Sequence, residues 1–275
     1  MISVNTNIGA MAAIQNLSAT NRDLQETQNA ISTGKKVASA KDNGAIWTIA
    51  NKMTSEVKAY GRVRESNERA AAILDTGIAA AESIMELLNE MKGKALAATQ
   101  PGLSAPSQAA LAGDFLQLRN QITNVVANAS FDGANMVSGA TPASAISLGD
   151  AAGGNNITVA GANLSLGGTV VTVTGLNVLT SDITAGAALT AVNASITNLG
   201  TQMATWGAGA KRLEVHREFV SKLSDALNTG IGAITDADLS KESAKLQSLQ
   251  VKQQLGIQAL SIANSSAQSA LSLFR

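Results

Sequence analysis

The sequence has few of the side chains on which enzyme sites and disulfide-stabilised folds depend. Its 275 residues include no cysteine, one histidine, four Phe, two Trp and one Tyr. Without cysteine the chain has no disulfide, no thiolate metal ligand and no cysteine nucleophile. A single histidine supplies neither a two-histidine metal motif nor, by itself, a catalytic triad. We therefore expect no catalytic residue, no metal site and no cofactor.

Charge is also scarce, and its two signs balance. Twenty Lys and Arg offset twenty Asp and Glu, so there is no net field to attract nucleic acid or an anionic membrane. We predict neither as a partner. The ends carry almost no charge: no side chain is charged before Arg22, or between Lys252 and Arg275.

The uncharged ends do not have the pattern of a membrane span or a signal peptide. Residues 253–274 are long enough for a span, but Gln, Ser and Asn interrupt them repeatedly, whereas a span requires about 20 predominantly apolar residues. The N-terminal tract lacks a basic leader followed by a continuous apolar block. If the protein leaves the cell, we expect another signal to direct it.

Helical periodicity is the strongest pattern present. One stripe alternates spacings of four and three residues and is interrupted only at Arg64 and Asn67. Ser39 and Asp42 have capping-box spacing, which predicts that the helix begins near residue 40. A straight helix over 40–95 would be roughly 80 Å long, which is a rod. The stripe comprises Met53, Val57, Tyr60, Arg64, Asn67, Ala71, Leu74, Ile78, Ala81, Met85 and Leu88.

Two more helices show the same period. PGLSAP at 101–106 breaks the first helix, because each proline lacks a donor and restricts the residue before it. The second stripe is Leu111, Phe115, Leu118, Ile122 and Val125. The third is Leu189, Val192, Ile196, Leu199, Met203, Trp206, Ala210, Leu213, Arg217, Val220, Ser224 and Leu227. Three stripes of one period predict three helices that share a seam, with Trp206 in the core.

The region between the second and third helices is rich in glycine and β-branched residues. Between 120 and 210 the only charged side chains are Asp132, Asp150 and Asp182. The segment from Asn156 to Gly175 reads NITVAGANLSLGGTVVTVTG and predicts a hairpin around Gly167-Gly168. A disordered linker is the alternative, and the β-branched clusters favour the hairpin.

Both ends are helical in pattern and apolar on more than one side. Ala10, Leu17, Leu24 and Ile31 recur every seven residues, with Met11 and Ile14 alongside. At the other end Gly256, Leu260, Ala263, Ala267, Ala270 and Phe274 form one stripe, while Val251, Leu255, Ile262 and Leu273 lie on another side. A helix with two apolar stripes and no charge is suited to being surrounded. Because one such chain cannot surround both ends, we infer that the protein self-assembles. The termini would then lie in the most densely packed part of the assembly.

Several segments, in the right order, resemble bacterial flagellin, the subunit of the flagellar filament. SVNTNIGAMAAIQNL from Ser3 resembles the opening segment of that family, and STGKKVASAKDNGAIWTIANKM from Ser32 resembles the signature that leads into its long helix. The closing segment from Ile234 to Arg275 is similar to the family's last helix. The signature positions are Ser39, Ala40, Lys41, Asp42, Ala50, Asn51, Phe131, Gly133 and Arg275.

The resemblance implies a mainly α fold: a long antiparallel helical coiled-coil rod formed by the N- and C-terminal segments, with a small β-hairpin region in the middle. Residues 1–40 and 235–275 would form the terminal coiled coil of the filament core. Residues 41–234 would form the rod domain, with the hairpin insert at about 131–187. We expect subunit packing in the filament core by Ile8, Met11, Leu17, Leu24, Leu255, Leu260, Leu271 and Phe274.

The resemblance also implies a set of partners and a location. The partners are other flagellin copies, possibly including sister flagellins, with hook–filament junction and cap proteins and an export chaperone. The location is the extracellular filament, reached unfolded through the flagellar type III channel without a cleaved signal peptide. At Lys92 and Gly93 the chain departs from the pattern that animal innate receptors recognise, so we expect no such recognition. Lys35 and Trp47 also depart from the family pattern.

Two other functions are consistent with parts of the sequence. A hook–filament junction protein has flagellin-like ends, and a soluble coiled-coil binding module is a more distant alternative. His216, among charged residues on a predicted helix, is interpreted as a surface side chain. Asp236 and Asp238 lack the glycine and terminal glutamate of a calcium loop, so they predict helix capping near Leu239. The charges from Lys52 to Arg69 predict a solvated helix face with ion pairs between neighbouring side chains.

Overall fold

The computed structural model describes residues 7–174 and 182–272, with side chains for all of these except 182, 183 and 266–272. The described chain is mainly helical, as the sequence predicts, and contains a small antiparallel sheet of two strands. The elements are α1 Ile8–Thr33, α2 Gly44–Ala98, α3 Ala105–Asn128, β1 Ala145–Ser147, β2 Ile157–Val159, α4 Asp182–Thr235 and α5 Leu239–Ser272.

The contacts divide the chain into two compact units. The terminal unit comprises residues 1–55 and 225–275, and the central unit comprises residues 56–224. α1, α5, the start of α2 and the end of α4 belong to the terminal unit, whereas α3 and both strands belong to the central unit.

The core of the central unit is built by α2, α3, α4 and the segment between α3 and α4. On α2 every second residue of the predicted stripe is buried from Asn67 onward, including Leu74, Ala81 and Leu88. The predicted residues between them, Ala71, Ile78 and Met85, are only half-buried, because the innermost positions lie one residue earlier, as at Ile84 before Met85. The seam observed on α2 is Val63, Asn67, Ala70, Leu74, Gly77, Ala81, Ile84 and Leu88.

The stripe on α4 shows the same one-residue shift. Val192, Leu199 and Leu213 are buried as predicted, but Ser195 and Gly209 occupy inner positions that the sequence assigned to Ile196 and Ala210. These small residues are buried because the segment before α4 covers them. The prediction was wrong at these positions because hydrophobic periodicity selects the larger apolar residues, Ile196 and Ala210. It ignores the smaller residues Ser195 and Gly209, which a covering segment buries.

The predicted hairpin around Gly167-Gly168 is wrong in position. The strands that pair are β1 and β2, with Ala145 opposite Val159 and Ser147 opposite Ile157. Gly168 does close a turn, since its N–H donates to the Ser165 carbonyl oxygen. The Val-rich stretch after that turn packs on α4 instead of forming a strand. The Thr172 N–H donates to Ser195 Oγ at 2.9 Å, and Val171 and Val173 are buried.

Trp206 lies at the centre of this packing, as predicted. It is fully buried, and its indole Nε1–H donates to the Ala160 carbonyl oxygen, just beyond β2, at 2.9 Å. One helical turn along, Gly209 allows the sheet to approach: a Cβ there would lie 2.7 Å from Cγ2 of Val159. β2 therefore rests directly on the α4 backbone.

The close approach at Gly209 provides a matched pair of substitutions on one helix. We expect Gly209→Ala to destabilise the central unit by about 1–3 kcal/mol, because the added methyl overlaps the β-branched Val159. Gly207→Ala is the control, since a Cβ there meets nothing within 4 Å. This control should raise stability by about 0.5–1 kcal/mol through helix propensity. Urea unfolding followed by circular dichroism would measure both, and equal midpoints would contradict the close approach.

His216 does not project freely into solvent as the sequence suggested. It is half-buried, its Nε2 lies 3.0 Å from the Gly149 carbonyl oxygen, and its Nδ1 lies 3.2 Å from Nδ2 of Asn67. The Asn67 amide also donates to the Leu213 carbonyl oxygen at 3.1 Å. Asn67, which interrupted the apolar stripe, therefore links α2 to α4, and His216 links α4 to the loop after β1.

The helix ends are set by local hydrogen bonds. α2 begins at Gly44 and not near residue 40, because Asn43 Oδ1 accepts the Ile46 N–H and caps the helix. Pro101 lies between α2 and α3, which end and begin at the PGLSAP segment as predicted, and Ser104 caps α3, with Pro106 in its first turn. Asp238 caps α5, also as predicted, since its Oδ1 accepts the N–H groups of Ser240 and Lys241.

Candidate self-assembly surface

α1 and α5 pack against each other as an antiparallel pair. On α1 the buried and half-buried residues alternate three and four residues apart, and so do those on α5. This spacing is the seam of a coiled coil. The α1 seam is Ala10, Ala13, Leu17, Thr20, Leu24, Thr27 and Ile31. The α5 seam is Glu242, Leu246, Leu249, Gln253, Gly256, Leu260 and Ala263.

Polar contacts hold the two helices in one register. Asn7 caps α1 by accepting the Ala10 N–H, and its Nδ2 donates to the Ala263 carbonyl oxygen at 2.8 Å. Further along, Gln253 Nε2 donates to Asn21 Oδ1 at 2.8 Å. Between these bonds Gly256 faces Leu17, where a Cβ would lie 3.3 Å from Cδ1 of the leucine. The Asn7 of the opening segment thus joins the two ends of the chain.

The far end of the pair is closed by the signature segment after α1. Gly34 ends α1 with φ of 68°, a left-handed conformation that favours glycine. The N–H groups of Lys36 and Val37 then donate to the Thr235 carbonyl oxygen, and that of Ala237 donates to the Gly34 carbonyl oxygen. The segment therefore pairs with the link between α4 and α5.

The Ser-Ala-Lys-Asp part of the signature forms an exposed turn before α2. Asp42 Oδ2 accepts the N–H groups of Ala38 and Ser39 and the Ser39 hydroxyl. These bonds, led by that from the Ser39 N–H, hold the pKa of the Asp42 carboxyl below its usual value. Ala40 and Lys41 are exposed. The bonds to Asp42 therefore fix the turn and do not cap the helix.

The other signature residues have structural positions as well. Ala50 is buried at the start of α2, and Asn51 is exposed beside it. Phe131 and Ala134 exchange backbone hydrogen bonds around a turn that contains Gly133, and Asp132 in this turn pairs with Arg69 at 2.7 Å. Arg275 lies outside the described residues.

The residues predicted to pack subunits together divide into two sets. Leu17, Leu24 and Leu260 lie half-buried in the seam between α1 and α5, so they join the two ends of one chain. Ile8, Met11 and Leu255 face away from that seam and are 77%, 57% and 57% exposed. The side chain of Leu271 and the whole of Phe274 lie outside the described part.

The outward-facing residues continue as apolar stripes along both helices. We call them the open stripes: Ile8, Met11 and Ile14 on α1, and Val251, Leu255 and Ile262 on α5. The two apolar sides expected for α5 are thus present in its described part. The threonines and Gln253 in the seam were missed, because they are polar. Extending the seven-residue period of Ala10, Leu17 and Leu24 by its intermediate positions would have found Thr20 and Thr27.

The described residues give no support for a metal site or a membrane span. They contain no group of three or more His, Asp or Glu side chains that could hold a metal ion. No helix among them has the length and hydropathy needed to cross a bilayer. The predicted ion pairs in the charged part of α2 are present, as Arg62 with Glu65 and Arg64 with Glu68.

Comparison with known proteins identifies the family. Residues 4–141 match the bacterial flagellin N-terminal helical region, and residues 189–274 match the bacterial flagellin C-terminal helical region. The chain belongs to the bacterial flagellin family. It is 46% identical over 276 residues to flagellin FljM of Caulobacter vibrioides, which covers 99% of this chain and 98% of that one. It is 37% identical over 283 residues to the flagellin of Brucella melitensis, over the full length of both chains.

A solved structure shares the fold. The crystal structure of Bacillus cereus flagellin aligns with a TM-score of 0.51 and 22% identity, over 56% of this chain and 88% of that one. The family defines the function: this flagellin is a structural subunit of the bacterial flagellar filament, which drives swimming, and it is not an enzyme. It assembles with other flagellin copies, including sister flagellins, outside the cell. Nothing observed favours the junction protein or the binding module.

Proposed function

We propose that the paired ends of this flagellin, residues 1–40 and 235–275, form the filament core, and that the open stripes are the contacts between subunits there. Residues 41–234 would form the rod domain of the subunit. In this arrangement Leu17, Leu24 and Leu260 shape each α1–α5 pair. Ile8, Met11 and Leu255, together with Leu271 and Phe274, join one pair to its neighbours.

The exposure of the open stripes is the observation that supports this proposal. Ile8 is 77% exposed and Ile262 is 68% exposed, although the seam between the same helices is covered. Aligned apolar residues on a soluble protein commonly mark an interaction surface. Apart from Lys252, which follows Val251, the residues around them are mainly Ser, Gln, Asn and Ala, so a neighbouring copy can cover most of this surface without desolvating an ion.

The open stripes can be tested without disturbing the seam. We expect Leu255→Gln with Ile262→Gln to leave the monomer's circular dichroism unchanged, because both side chains are already exposed. Full burial of each apolar side chain contributes about 1.5–3 kcal/mol, so the critical concentration for seeded assembly should rise at least about tenfold. Sedimentation and electron microscopy would measure it.

The matched control keeps both positions apolar. Leu255→Met with Ile262→Met changes the shape of the side chains and preserves their hydrophobicity, so filaments should form near the wild-type concentration. If the glutamine variant assembled as readily as this control, the open stripes would not be subunit contacts.

The remaining partners are part of the same proposal. Apolar stripes left open before assembly favour aggregation, which an export chaperone that covers them would prevent. We propose that the chain leaves the cell largely unfolded through the flagellar type III channel and polymerises beneath cap proteins onto the hook–filament junction. Cross-linking of the cytoplasmic chain should then link the chaperone to residues of α5.

A further inference from the structure

Charge in the central unit is segregated between two helix faces. From residue 70 to residue 91 the charged side chains are Asp75, Glu82, Glu86 and Glu90, with no Lys or Arg among them. All four are exposed, and at about 100° per residue they lie within a sector of about 80° on α2. This sector is on the side opposite the buried seam. We call it the acidic stripe.

The acidic stripe forms no ion pair with the part of the chain that the structure describes. Among the residues that the structure describes, the ion pairs involve other side chains, and none includes these four carboxylates. Exposed Ala79 lies between Asp75 and Glu82, so the backbone of α2 is accessible to close approach there. The stripe is about 22 Å long, from the helical rise over residues 75–90.

α4 carries a face of the opposite character. A groove is lined by Ile157, Ala208, Lys211, Arg212, Val215, His216 and Phe219. Val215 is 55% exposed and Phe219 is 57% exposed at its centre. Lys222 lies one turn beyond, on the same side of the helix. From 211 to 222 this cationic apolar face is about 16 Å long.

The acids of this part of α4 lie at the flank of the face. Glu214 pairs with Lys211 and Glu218 pairs with Lys222, both at 2.7 Å, so each carboxylate contacts a lysine at the edge of the cationic apolar face. Arg212 takes part in no ion pair within the described part of the chain. The face therefore presents Arg212, two partly neutralised lysines and an apolar centre.

We infer that the cationic apolar face of α4 in one copy receives the acidic stripe of α2 from an adjacent copy. The two surfaces have opposite charge, and the acidic stripe is long enough to span the whole of the cationic apolar face. Val215 and Phe219 could pack over the small residue Ala79 while Arg212 and Lys222 meet the carboxylates. Because two different surfaces meet, the contact is head-to-tail and can propagate through an open polymer. This inference rests on the proposed filament assembly and adds a contact outside its core.

Cysteine cross-linking can detect this contact, since the chain has no cysteine of its own. Ala79 and Ala208 are exposed, and replacing each with cysteine is a conservative change that preserves every charge. Filaments grown from an equal mixture of the two variants, treated with a short bis-maleimide, should give a cross-linked dimer on denaturing gels. Filaments of either variant alone should not. Gln117→Cys, at an exposed position on α3, mixed with Ala208→Cys is the control.

Charge reversal provides a second, independent readout. Glu82→Lys with Glu86→Lys, and separately Arg212→Glu with Lys222→Glu, should each raise the critical concentration for assembly by about tenfold. The variant with all four changes should recover to within about threefold of wild type, since the attraction is restored with the signs exchanged.

The outcomes separate this contact from the filament core. The inference would be overturned if filaments formed normally but gave no more dimer than the Gln117 control, and if the four-change variant assembled no better than the weaker of the two reversals. The core proposal would then remain intact. If the open-stripe glutamine variant assembled normally, the core proposal would fail instead. A foreign protein on the α4 face would leave assembly unaffected by both reversals, which also overturns the inference.

Discussion

Deletion of residues 256–275 is expected to abolish filament formation while leaving a soluble, partly helical monomer. The deletion removes Gly256, Leu260 and Ala263 from the seam, and the bond from Asn7 to the Ala263 carbonyl oxygen is lost with them. The first turns of α1 then have no helix to pack on. Isolated helical segments of this length are marginal in water, so we expect the loss of helix to exceed the twenty deleted residues.

The loss of assembly should be complete, because the deletion also removes Ile257 and Ile262 from the outer surface of α5. The central unit contains none of the deleted residues, so its urea transition should be unchanged. Sedimentation, electron microscopy after seeding and circular dichroism would measure the three effects. A variant in which the same twenty residues are permuted, so that the seam spacing is broken, should behave like the deletion. Normal filaments from either chain would contradict the proposed role of the ends.

The ends were predicted well from the sequence because their pattern is simple. Ala10, Leu17, Leu24 and Ile31 repeat every seven residues, and the structure places all four in the α1–α5 seam. On α5 the two predicted stripes divide as expected, with Leu260 in the seam and Leu255 outside it. Where no third element of the same chain covers a helix pair, the hydrophobic period alone determines which side is buried.

The central unit was predicted less well because a covering segment changes which residues are buried. Residues 129–174 pack onto the small or polar positions Gly77, Ser195 and Gly209, which hydrophobic periodicity ignores. The same segment misled the strand prediction. Its Val and Thr content is typical of strands, but Thr172 bonds to the α4 side chain Ser195. The acidic stripe was overlooked for a different reason. Its four carboxylates become notable only once the structure shows that they form no ion pair with the described residues.

The covering segment, residues 129–174, contacts α4 at Trp206, whose indole N–H donates to the Ala160 carbonyl oxygen. We expect Trp206→Ala to destabilise the central unit by about 3–5 kcal/mol, because it removes the largest fully buried side chain of the described core. It also leaves the Ala160 carbonyl oxygen without its donor. Trp206→Phe should cost less, since the ring is largely kept and only the hydrogen bond and part of the volume are lost.

The other tryptophan of the chain provides the control for this measurement. Trp47 is 38% exposed and belongs to the terminal unit, so Trp47→Ala should change the stability of the central unit by less than about 0.5 kcal/mol. In the Trp47→Phe background Trp206 is the sole tryptophan, and its fluorescence reports unfolding of the central unit alone. The alanine variant at 206 is followed instead by circular dichroism in urea. If its midpoint matched that of Trp206→Phe, the bond and the packing around Ala160 would not hold the covering segment on α4.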